Sequence, residues 1–181
     1  MKFEDLKKVN ESLKGIDVKG KNYIEVNQRI KAFRMLYPEG TIETEILQHE
    51  RVECLGEETN VVVMKATIKN GDLILGTGTA YEKENSTFIN KTSYIENCET
   101  SAVGRALAMC GIGIDTSIAS AEEVLNAINN QEESSKLMAQ IKKIMSDKKV
   151  LPNEPSEHFG KSSNEMNVEE LKEVIKWLEK R

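Results

Sequence analysis

Cysteine and histidine are scarce in this chain. Cys54, Cys98 and Cys110 are widely spaced with no Cys-x-x-Cys pair, and His49 and His158 are the only histidines. That inventory argues against a zinc site and leaves small buried thiols of a reducing cytosol as the ordinary role. Two histidines so far apart make poor catalytic partners, and no Ser/His/Asp arrangement is suggested. The chain also lacks a Gly-x-x-x-x-Gly-Lys-Ser/Thr loop, and Gly76-Thr77-Gly78 sits mid-strand with no helix after it. No apolar run approaches the roughly 18–20 residues of a membrane span. Met1 to Lys21 has no apolar stretch of the signal-peptide kind. These absences predict a cytoplasmic protein that touches no membrane, needs no cofactor or metal, and is not an enzyme.

Positive charge is also in short supply. The net charge is −5, from 25 basic and 30 acidic residues. Residues 1–131 hold 15 basic and 20 acidic residues and 132–181 hold 10 of each, so the first part carries the whole deficit. Any nucleic-acid site must therefore be a local patch. With 39% hydrophobic and 30% charged residues, the composition is globular.

Hydrophobic periodicity divides the chain into a flexible N-terminal segment (1–21), a core (22–131) and a helical C-terminal module (132–181). Order is expected from Asn22, which with Glu25 can cap a helix lined by Tyr23, Val26, Ile30, Phe33 and Tyr37 and stopped at Pro38. From Thr41 the period changes to two, the mark of a strand that can run to Leu55, before a turn at Gly56 to Asn60. Val61 to Lys69 and Asp72 to Glu82 form two further strands about Asn70-Gly71, a favoured pair for a two-residue hairpin turn. Opposing Ile68 to Leu73 then sorts Val62, Met64, Ala66, Ile68, Leu73, Leu75, Thr77 and Tyr81 onto a buried face. Lys65, Thr67, Lys69, Gly76, Gly78 and Ala80 fall on a small, flat, basic one. A short strand at Thr87 to Ile89 is a further expectation.

Ser93 with Glu96 predicts the capping box of a second helix, with Ile95, Cys98, Ala102, Ala106 and Met109 as its apolar stripe. Ser120 with Glu123 predicts another helix as far as Asn130, and Asn129 to Ser135 reads as a linker. The expected fold is α+β: a helix, a three-stranded antiparallel sheet and a long helix, with a small helical module after them. Arg105 is the only cation of that long helix, and either grips a phosphate or pairs with a carboxylate within the fold. Beside it, Ser101, Gly104 and Ala108 leave a shallow strip. With Gly76 and Gly78 of the sheet, this strip suits close contact between protomers.

The run Gly-Thr-Gly-Thr-Ala-Tyr-Glu, followed by Tyr-Ile-Glu-Asn-Cys-Glu-Thr-Ser-Ala-Val-Gly-Arg-Ala-Leu-Ala-Met-Cys-Gly-Ile-Gly, resembles the core of phage single-strand annealing proteins of the ERF-type and Rad-fifty-two-like families. The resemblance spans about Asn22 to Asn130. It implies ATP-independent binding of single-stranded DNA by a ring or filament and annealing of complementary strands in phage or prophage recombination. By position, Arg105 matches the arginine of the family's Arg-Ala-Leu element. Lys65, Lys69, Lys83 and Lys91 are further DNA candidates, with Tyr81 and Tyr94 as stacking groups.

In the C-terminal module, Lys136, Lys142, Lys143, Lys148 and Lys149 cluster about one helix and suit an acidic peptide, such as the tail of a host or phage single-strand-binding protein. Trp177 lies in the last amphipathic helix, either in a small core or in a peptide pocket. The acidity of the chain supports a different reading: an oligomeric phage adaptor that binds replication or host proteins without contacting DNA.

Overall fold

Val62, Met64, Ala66 and Ile68 alternate with more exposed residues along one strand and are buried, which makes that strand the centre of the first hydrophobic core. The computed structural model describes residues 2–54, 57–87, 90–114 and 117–181. Two compact units are present, Met1–Asn126 and Ala127–Arg181.

The first unit contains α1 (Phe3–Ser12), a hairpin of β1 (Gly15–Val18) and β2 (Lys21–Ile24), and α2 (Val26–Leu36). The antiparallel sheet β3 (Thr41–Cys54), β4 (Glu57–Asn70) and β5 (Leu73–Lys83) follows, in the order β3-β4-β5. Next comes α3 (Asn90–Met109). The fold is α+β, as the periodicities predict. α4 (Ala121–Lys148) contains the boundary between the units. α5 (Glu154–Phe159), a 3-10 turn (Ser163–Glu165) and α6 (Val168–Glu179) complete the second unit around Ile141, Leu171, Val174 and Leu178.

Several expectations are corrected. Order begins at α1: Leu6, Val9 and Leu13 pack on the core, and Asn10 ties α1 to the end of α3 through Gly111 O (2.8 Å) and Gly113 N (3.0 Å). Asn22 lies in β2 opposite Asp17, so α2 starts four residues later, with Glu25 at its N-cap and no side-chain capping bond. The hairpin turn there is Lys19-Gly20, both at positive φ, the geometry of a tight two-residue loop. α3 starts at Asn90 and kinks at Ser93, the residue expected to open it. Residues 129–135 are helical, inside α4, because Ser120 and Glu123 do form the predicted capping box and nothing breaks the helix after it. Of the expected turn at Gly56 to Asn60, Glu57–Asn60 belong to β4 and Gly56 lies outside the described residues, as do Leu55, Phe88 and Ile89 of the strand ends.

The most consequential correction concerns β5. The turn pairs Asn70 with Leu73 and Lys69 with Ile74, and a bulge then makes Ile68 face Gly76. An extra residue in one strand reverses the face of every side chain beyond it. Gly76, Gly78 and Ala80 therefore join the core face, and Thr77, Thr79 and Tyr81 turn outward. The core face of β5 is small because α3 lies directly on it: a Cβ on Gly78 would sit 2.4 Å from Ala106 N and 2.6 Å from Ala102 O.

Candidate nucleic-acid interface

Among the described residues of the first unit, helices pack on one face of the sheet and leave the other open. Registers assign to the open face Val63, Lys65, Thr67 and Lys69 of β4 and their β5 partners Tyr81, Thr79, Thr77 and Ile74, while Val61, opposite Lys83 at the end of the same row, is buried. On the β3 side the partners are Glu50, Gln48, Glu45, Glu43 and Thr41. The structure thus brings together four of the seven predicted DNA-binding residues: Lys65, Lys69, Lys83 and Tyr81. Lys65 and Lys69 are four residues apart on β4, about 13 Å at the rise of a strand. Lys83 faces Val61, the same distance from Lys65 in the other direction. Tyr81 is 59% exposed and flanks this row, diagonal to Lys65.

The electrostatics of the face are graded from strand to strand. Lys69 is paired with Glu43 across β3 and β4, with Nζ 2.5 Å from Oε2. Among the described residues, Lys65 and Lys83 have no ion-pair partner within 4 Å. Cations line β4 and β5, and carboxylates line β3. An anionic chain is therefore attracted to the β4–β5 side and repelled from the β3 edge.

The other candidates lie elsewhere. Tyr94, in α3, donates to or accepts from His49 Nε2 at 2.8 Å on the core side of the sheet, and burial raises its phenol pKa, with Glu84 and Glu96 adding to the shift. Lys91 is exposed in the first turn of α3. Arg105 is paired within the fold: its Nε is 2.7 Å from Oε1 of Glu123, whose Oε2 accepts from Ser120 N at 2.8 Å. The arginine therefore braces the start of α4. Glu99, with no ion-pair partner among the described residues, accepts from Thr44 Oγ1 at 2.7 Å.

The small residues assigned to protomer contact are used inside the monomer. Gly104 is buried, and a Cβ on it would meet Val26 Cγ2 of α2 at 2.7 Å. Ala108 is 2% exposed, and Gly76 lies against Ala106 O and Cys110 Sγ. Only Ser101 of that strip keeps partial exposure. Cys98 is buried and Cys110 half-buried, both as free thiols, and burial pushes each up to about 11.

Sequence reasoning did not foresee the role of Arg29 as a buried donor to backbone carbonyls. Its side chain is fully buried in α2 and donates to five carbonyls: Gly104 (2.8 Å) and Ile118 (2.9 Å) from Nη1, and Gly113 (3.2 Å), Ser117 (3.1 Å) and Ala119 (3.3 Å) from Nη2. Burial lowers its pKa, while Glu123 and Glu122 act in the opposite direction. The available signal was its place one turn after Val26, on the apolar side of an amphipathic helix, where a cation has to find acceptors.

In the second unit, Lys136, Lys142, Lys143 and Lys148 are exposed on α4, at spacings that spread them around the helix, and Lys149 follows its end. Lys148 Nζ donates to Glu179 O at 2.8 Å. Trp177 is half-buried, with His158 stacked on it at 4.6 Å, Phe159 edge-on at 5.9 Å and the Arg181 guanidinium 4.3 Å above the ring. Its ring thus serves the module's own packing. Among the described residues, no group of three or more His, Cys, Asp or Glu side chains could hold a metal ion, and no helix is long and apolar enough to cross a membrane.

Residues 30–110, somewhat under half of the chain, are similar to a family described as Slr1353 N-terminal dsRNA-binding domain-like. The matched stretch starts within α2, takes in the whole three-stranded sheet and ends just past α3. It covers the open face and the helix that carries Arg105. This match corrects the resemblance to phage annealing proteins, which rested on those same elements. No curated protein matches the chain.

Proposed function

We propose that this chain binds nucleic acid on the open face of its three-stranded sheet, prefers single strands, and promotes pairing of complementary strands without ATP. The observation that carries the reading is the convergence of Lys65, Lys69, Lys83 and the exposed ring of Tyr81 on one uncovered face. Lysines spaced along one face engage separate phosphates of one strand, and an aromatic ring offers a platform on which one base stacks for roughly 1–3 kcal/mol. The carboxylates of Glu43, Glu45 and Glu50 confine the strand to the β4–β5 side. A strand held by its phosphates and a few stacked bases keeps its other pairing edges free, so the face acts as a template for pairing and not as a catalyst.

Similarity of residues 30–110 to a dsRNA-binding domain-like family supports nucleic acid as the ligand. It also favours a second reading, in which the ligand is duplex RNA. Duplex RNA is recognised across its minor groove by shape and backbone contacts. An exposed aromatic ring on a flat sheet suits unpaired bases better.

Fluorescence anisotropy with labelled single-stranded and duplex oligonucleotides at low salt tests the choice. Tighter binding of single strands, weakening as salt rises with a log–log slope of about −0.7 per phosphate contact, is the expected result. Tighter binding of duplex RNA supports the second reading, and no binding to any oligonucleotide contradicts both.

A further inference from the structure

On β4 and β5, Thr67, Thr77 and Thr79 add hydroxyls to the lysines of the open face. Thr67 and Thr77 are directly opposed across β4 and β5, and Thr79 is opposed to Lys65. Thr77 and Thr79 are exposed and Thr67 is half-buried. Other threonines of the same unit have engaged hydroxyls: Thr44 donates to Glu99 Oε1, Thr59 to Glu84 O and Thr100 to Glu96 O. Among the described residues, the hydroxyls of Thr67, Thr77 and Thr79 have no protein partner. Thr77 and Thr79 owe their placement to the bulge at Leu75: in the register without it, Thr77 would point into the core and Gly78 outward.

A threonine hydroxyl both donates and accepts a hydrogen bond, and so does the 2′-hydroxyl of ribose. Deoxyribose offers no such group. Thr79 lies beside Lys65 and two residues from Tyr81, about 7 Å along β5. A base on Tyr81 therefore places its sugar over Thr79 and a phosphate near Lys65. The Thr67–Thr77 pair, between Lys65 and Lys69, repeats the arrangement at the next step along the sheet.

We infer that the single strand taken by the open face is RNA, selected through its ribose 2′-hydroxyls by Thr67, Thr77 and Thr79. The inference rests on the binding proposed for that face and narrows its ligand class. The same hydroxyls explain why a face with only two unpaired lysines suffices in an acidic unit, since sugar contacts supplement phosphate contacts.

The test uses the full chain and labelled 20-nucleotide strands of one sequence in ribo, deoxyribo and 2′-O-methyl form, with anisotropy as the readout. Wild-type protein is expected to bind the ribo strand at least roughly tenfold more tightly than the deoxyribo strand, the scale of two or three added neutral hydrogen bonds. The 2′-O-methyl strand, which cannot donate, should fall between them. In the triple variant T67V/T77V/T79V, which keeps side-chain shape and β-propensity, ribo affinity should drop to within about twofold of the deoxyribo value, with deoxyribo affinity unchanged. Equal affinity of wild-type protein for ribo and deoxyribo strands overturns the inference and leaves single-strand binding standing, as does an RNA preference that survives in a folded triple-valine variant. Failure of wild-type protein to bind either strand overturns the binding reading itself. The 2′-O-methyl and deoxyribo arms need no variant, so an unfolded triple variant does not remove the test.

Discussion

Nη1 of Arg29 donates to the carbonyl of Gly104 at 2.8 Å, joining the start of α2 to the second half of α3. The same guanidinium holds four carbonyls of the segment that leads from α3 to α4, so one buried cation fixes the path of the chain at the edge of the core. Gly104 O also belongs to the helical ladder of α3, but among the described residues the four carbonyls of the segment accept from no other group. Their desolvation is offset only while the guanidinium is present.

Replacing Arg29 with methionine keeps most of the side-chain volume and removes all five bonds. The variant should lose about 3 kcal/mol or more of unfolding free energy, measured by urea denaturation, because several buried acceptors are left unpaired. A loss below about 1 kcal/mol would show that water replaces the guanidinium without penalty.

Gly78→Ala introduces a Cβ 2.4 Å from a backbone nitrogen of α3, a clash that no side-chain rotation relieves. The expected cost is about 1–3 kcal/mol, through forced separation of α3 from β5. Thr79→Ala, one residue along and facing outward, should shift the thermal midpoint far less. Equal shifts for the two variants would mean that β5 is in the opposite register.

These two residues mark what was legible in the sequence and what was not. Period-two patterning located β3, β4 and β5, and Ser120–Glu123 located the start of α4 from local chemistry alone. The lysines Lys65 and Lys69 were assigned to the open face because β4 alternates cleanly. Tyr81 was not, because a single bulge at Leu75 shifts the register and leaves no local mark in a run of small residues. The role of Arg29 was missed for a related reason: its partners are carbonyls 75 to 90 residues away, and backbone acceptors have no sequence signature.

Arg105→Ala should leave nucleic-acid affinity within about twofold of wild type, since the guanidinium engages Glu123 on the helical side of the sheet. The side chain is 46% exposed, so the stability loss should stay within about 1 kcal/mol. Parallel anisotropy and thermal melts check both. A tenfold loss of affinity in a stable variant would place Arg105 in the interface.

The buried thiols give the first unit an alkaline limit. Cys98 and Cys110 ionise at about 11 in the folded chain against about 9 when free, with burial as the first cause for both. A raised folded pKa means that the unfolded state releases its proton first. The stability tied to the neutral thiols is complete below pH 9 and is lost as pH rises towards 11. The double variant C98A/C110A should show a flatter decline of unfolding free energy between pH 9 and 11 than wild type. Parallel declines would mean that other groups set the limit.

The central claim is that nucleic acid lies on the open sheet face, and zero-length ultraviolet crosslinking with peptide mapping by mass spectrometry reads this directly. With a bound single-stranded oligonucleotide, the crosslinked peptide should contain Tyr81 of β5, and Tyr81→Leu should abolish that crosslink while the chain remains folded. A dominant crosslink on α3, or in residues 127–181, with β5 unmodified would contradict the account.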